Sequence, residues 1–61
     1  MPVWMEELLR VLKEGDIGAQ QIWAQRSDEL RRTLTPHTYS QVRHALENFE
    51  FDIALAALSR H

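Results

Sequence analysis

The chain has no cysteine. Disulfide staples and thiolate metal sites are excluded, so a chain of 61 residues must be held by apolar packing, alone or with a partner. Glycine and proline are scarce, two of each, so every interruption they make marks a boundary. No apolar run approaches the roughly 20 residues that cross a bilayer. Met1–Met5 is apolar, but no long apolar region or small-residue cleavage site follows it. Apolar and polar residues never alternate over a strand's length. There is no glycine-rich phosphate loop and no H-E-x-x-H spacing. These absences predict a soluble, cytoplasmic, all-α domain, with no membrane, metal, cofactor or small-molecule ligand expected.

Charge of either sign is modest, and the formal total is −2. Its distribution is uneven: residues 1–16 sum to −2, residues 26–43 to +2 and residues 44–61 to −2. Arg26, Arg31, Arg32 and Arg43 form a weakly basic island that reads first as a solvated helix face and, as the alternative, as a surface for an acidic partner. Nucleic acid is not the expected partner, because the third predicted helix carries only Arg43 among lysines and arginines.

What the chain does have is helical periodicity. The first helix is predicted from Pro2 to Glu14, with Trp4, Leu8, Val11 and Leu12 as its stripe and Gly15 as the left-handed residue ending it. Asp16 is expected to cap a second helix reaching Leu34, with a stripe of Ala19, Ile22, Trp23, Leu30 and Leu34. Arg26-Ser27-Asp28 leaves a gap in that stripe where a kink fits. Gly18 offers room for the first helix to approach. Thr35-Pro36 is the clearest boundary: a threonine cap followed by a proline with preset φ. The third helix should run to about Asn48, with Tyr39, Val42, Leu46 and Phe49 as its inward seam. Asp52 should cap a short fourth helix from Ile53 to Ser59, its apolar side made by Ile53, Ala54, Leu55 and Leu58. Phe51 should plug the corner before it. Connections this short predict a compact antiparallel bundle of four helices, three longer and one short, in a single domain over residues 1–61.

Catalytic sets are hard to assemble. His37 lies in a first turn and His61 at the chain end, both expected in solvent. The hydroxyl residues have no His-plus-carboxylate neighbourhood that spacing can establish. Glu6-Glu7 and Asp28-Glu29 are adjacent pairs that read as solvated surface. Trp4 and Trp23 lie on apolar stripes and read as core. His44 is the one residue with a specific alternative. In His44-Ala45-Leu46-Glu47-Asn48 it resembles the H-x-L-K-G pattern of histidine phosphotransfer domains, but Glu47 replaces the charge-neutralising lysine and Asn48 the glycine that makes room for a receiver.

The run Leu8-Leu9, Asp16, Ala19, Trp23, Leu30 and Leu34, closing in Phe49-Glu50-Phe51-Asp52-Ile53-Ala54-Leu55-Ala56-Ala57-Leu58, resembles a short helical segment of some bacterial hybrid sensor histidine kinases and response regulators. That segment stands at the C-terminal end of those proteins. Its pattern is roughly L-x-x-L-L, an acidic residue, a spaced alanine, then F-x-F-[DE]-x-A-L-x-x-L, and the likeness covers about residues 8–58. Such segments are described as phosphotransfer-like, although many lack the reactive histidine. The resemblance implies a non-enzymatic accessory module of two-component signalling, excised from a longer protein, that docks to a receiver or kinase domain. The alternatives are phosphotransfer through His44 and a small self-associating docking module.

Overall fold

In the computed structural model, which describes residues 2–60, apolar periodicity and end signals resolve into five helices. They are α1 (Val3–Lys13), α2 (Gly18–Gln25), α3 (Ser27–Thr33), α4 (Pro36–Glu47) and α5 (Phe51–Ser59). No strand occurs among the described residues. His61 lies outside them.

The helices α2 to α5 pack chiefly on their neighbours in sequence, whereas α1 rests most on α5, which joins the two ends of the chain. One contiguous core fills the interior: Met5, Leu8, Val11 and Leu12 from α1, Ala19 and Trp23 from α2, Leu30 from α3 with Leu34 just after it, Val42, Ala45 and Leu46 from α4, and Ala54, Ala57 and Leu58 from α5. No polar or charged residue among those described is buried. Burial of aliphatic side chains, each contributing about 1.5–3 kcal/mol when fully covered, is therefore what holds the fold.

The expected four helices are five, because the second one breaks at Arg26. Its backbone leaves helical geometry at φ −111° and ψ 19°. The physical reason lies in the stripe: no apolar side chain between Ala24 and Leu30 draws that turn inward, so the chain re-aims to bury Leu30 and Leu34. Arg26 itself is held outside, over the Trp4 ring at 5.7 Å and paired with Glu29 at 2.9 Å. Trp4 is accordingly half-buried rather than core, while Trp23 is buried and Met5 fills the place in the α1 stripe.

The helix ends follow known local chemistry. Gly15, at φ 68°, ends α1: its N–H bonds to the Leu12 carbonyl and the Asp16 N–H to the Val11 carbonyl. This is the paired bonding of a Schellman motif. Asp16 does not cap α2 from the expected position. Its carboxylate accepts from the Gly18 N–H at 2.8 Å, one residue ahead, and exposed Ile17 occupies the cap position. A side chain at Gly18 would meet only that carboxylate, so the glycine gives no close approach to α1. Thr35 caps α4 as expected, accepting from the Thr38 N–H at 3.2 Å, with Pro36 next.

The corner between α4 and α5 differs most from expectation. Phe49 is not the last inward residue of the α4 seam; it lies beyond the helix, at φ 57°, and is 61% exposed. The Phe49 N–H bonds to the Leu46 carbonyl and the Glu50 N–H to the Ala45 carbonyl. The same Schellman geometry thus recurs here with phenylalanine in glycine's place. α5 starts at Phe51, two residues earlier than expected, so Asp52 is an exposed first-turn residue and not its cap. Phe51 is half-buried against the core instead of plugging it fully, and Ile53 is 48% exposed.

Candidate functional site

Two features of the surface depart from a merely solvated shell. The first is the α4–α5 corner. A left-handed backbone costs a residue with a Cβ about 1–2 kcal/mol, which glycine avoids. Here a phenylalanine occupies it and leaves most of its ring in solvent. Its aromatic neighbour is Phe51, in edge contact with centroids 6.3 Å apart. Ile53, two residues further on and on another side of α5, is exposed as well. Ile53 also borders a shallow groove of about 440 Å³ between α4 and α5, lined by His37, Ser40, Gln41, His44, Ala45 and Glu50. Val3 and Ile17 are exposed apolar residues too, but neither has a positive φ.

His44 is exposed on that groove, so a reagent can reach it. Its carbonyl and ring are both approached by Asn48: the amide nitrogen donates to the His44 carbonyl at 2.9 Å and lies 3.4 Å from Nδ1. Glu50 shares the groove, and Glu47 on the next turn pairs with Arg43 at 3.4 Å. The charged side chain lining the groove beside the histidines is thus a carboxylate, not a lysine. Among the described residues no group of three or more metal-binding side chains comes together.

The second feature is the basic island, which the fold divides. Arg26 is withdrawn to the Trp4 side with Glu29. Arg32 is exposed on α3. Arg31 and Arg43 are the two brought together, lining one concavity of about 400 Å³ between α3 and α4 with Pro36, Tyr39 and Ser40. The Arg31 guanidinium lies over the Tyr39 ring, 5.4 Å from its centroid, and that ring packs on Trp23 at 4.8 Å. The Tyr39 side chain, chiefly by hydrogen bonding, raises the Arg31 pKa further above its high ordinary value.

Gln20 has no motif to announce it. Its side chain reaches from α2 across to α4, where Nε2 donates to the Leu46 carbonyl at 2.7 Å. That carbonyl also receives the Phe49 N–H. Gln20 therefore braces the turn that presents Phe49. The sequence signal was only a polar residue next to the buried Ala19, too weak to single out.

No protein-family model, no curated protein and no solved structure matches this chain. The surface must be read from its own chemistry: an aromatic presented at conformational cost, a groove with two histidines and a carboxylate, and a paired-arginine concavity.

Proposed function

We propose that the chain is a non-enzymatic protein-docking module of a bacterial two-component signalling protein, binding a receiver or kinase domain. One observation carries the docking part. Phe49 holds a left-handed conformation that glycine would adopt at lower cost, and its ring is mostly in solvent. Backbone strain retained at an exposed aromatic is accounted for by something that binds the ring. Large aromatics at an accessible corner are the usual anchors of protein interfaces. The signalling part rests on the F-x-F-D-x-A-L pattern, whose first phenylalanine is this residue.

The reading separates folding from binding. Replacing Phe49→Gly should raise stability by about 1 kcal/mol, since the strain is relieved, and melting by about 4–8 °C. The same change should weaken binding to the receiver domain of the parent signalling protein by at least about tenfold, the loss typical of an interface anchor. Thermal melts and titration of the labelled receiver read the two effects. A variant that melts lower than the parent, or binds as well as it, overturns the assignment. No binding of parental chain by either receiver or kinase domain at millimolar concentration overturns the signalling part.

Accessibility favours a second reading, phosphotransfer through His44. It requires acid-labile label to pass from a phosphorylated receiver and to vanish in His44→Gln. Glu50 in the same groove opposes a phosphoryl group there, so the docking reading comes first. Self-association through the Phe49 corner is the third. It predicts a mass above 7.2 kDa at high concentration in the ultracentrifuge.

A further inference from the structure

We propose that the concavity between α3 and α4 is a carboxylate-recognition site, in which Arg31 and Arg43 grip acidic side chains of a partner protein. The inference rests on the docking reading for the partner's being a protein, and names the chemistry of a second contact on it.

Of the four arginines in the basic island, Arg31 and Arg43 line a common depression. Arg31 forms no ion pair among the described residues; Asp28, one turn earlier on α3, influences its charge without bonding to it. Its planar head is instead oriented by Tyr39, which is itself fixed by Trp23. A guanidinium held over a ring loses little freedom on binding. Arg43 has a carboxylate, Glu47, but at 3.4 Å with both side chains more than half exposed. Such a pair is weak enough to open for a better acceptor. Ser40 adds a hydroxyl on the same wall. Two cations and a hydroxyl, with no carboxylate among the lining residues, match an oxyanion. The shallow, open form of the depression suits side chains on a protein surface rather than a small ligand enclosed on all sides. Charge complementarity thus commits the site to aspartate and glutamate carboxylates.

The test is an NMR titration of the 61-residue chain with a capped peptide of aspartate and glutamate, run beside inorganic phosphate at the same ionic strength. The peptide should shift the amides of Arg31, Tyr39, Ser40 and Arg43 together. Arg31→Gln and Arg43→Gln should each weaken the peptide by about tenfold, while Arg26→Gln and Arg32→Gln change it less than about twofold. If Arg31→Gln lowers the melting temperature, Arg43→Gln carries the comparison alone, because its side chain is on the surface. Equal losses in all four variants, or shifts spread along the chain, overturn the site. Phosphate binding there while the peptide does not overturns the carboxylate assignment. The receiver titration separates this inference from the docking reading. Receiver binding lost in Phe49→Gly but untouched in Arg43→Gln removes the arginine site and keeps the module. Peptide binding without binding of either signalling domain keeps the site and removes the module's proposed partner.

Discussion

Gln20 joins two parts of the chain that are 26 residues apart through a single amide. Removing it does not orphan the Leu46 carbonyl, which keeps the Phe49 N–H at 3.1 Å. Gln20→Ala should therefore cost only the net value of one hydrogen bond, about 0.5–1.5 kcal/mol. Gln20→Glu should cost more than alanine at neutral pH, because a carboxylate would face a carbonyl oxygen. Urea midpoints of the two variants check the order, and alanine worse than glutamate would remove the brace. Phe51 is likewise only partly committed to the core. A fully buried phenylalanine loses about 3–5 kcal/mol on truncation, but this ring is half-buried and shares an edge with exposed Phe49. Phe51→Ala should cost about 1.5–3 kcal/mol. Against an expected total of about 3–5 kcal/mol, the variant should keep a cooperative melt at reduced temperature; a fully unfolded circular-dichroism spectrum would contradict this.

Helix boundaries carried by a backbone constraint were legible in the residues. Thr35-Pro36 and Gly15 each admit few conformations, and both fall where expected. Thr35→Ala should lose about 1 kcal/mol, whereas Thr35→Asp should retain the parental melt, because only the side-chain acceptor for the Thr38 N–H matters. Equal melts for the alanine variant and the parent would show the cap to be idle. Boundaries carried by periodicity alone were not legible. Tyr39, Val42, Leu46 and Phe49 step by 3, 4 and 3, and spacing cannot distinguish the next inward position from the first residue past the helix. Without a glycine to announce the Schellman turn, the exposed phenylalanine reads as core. The gap at Arg26-Ser27-Asp28 was visible, but a kink and a break leave the same pattern in the sequence. The candidate site divides the same way. The arginine island was readable from charge; that only Arg31 and Arg43 converge depends on how α3 crosses α4, which no local pattern records.

Over the whole molecule, α1 rests most on α5 and so joins the two ends, while the other helices rest mainly on their neighbours in sequence, a short-range pattern. Such short-range connectivity lets a small chain assemble without a costly loop closure at every step. Charge plays little part in holding it together. The described residues contain three ion pairs, each within one helix or between a helix and its cap residue and all well exposed, and nothing charged lies in the core. Exposed pairs of this kind contribute about 0.3–0.5 kcal/mol each and are screened by salt. Raising sodium chloride from about 0.05 to about 0.5 M shortens the Debye length severalfold, yet it should remove less than about 1 kcal/mol and move the melting temperature by no more than a few degrees. Recognition through Arg31 and Arg43 has the opposite character, because its attraction acts between charges at an open surface. The same salt step should weaken the acidic peptide by an order of magnitude or so, while contact through Phe49, being apolar, persists. Melting and peptide titrations run across one salt series read both quantities on one sample. A fold that melts far earlier in salt would place ion pairs, not the leucine and alanine core, at the centre of its stability.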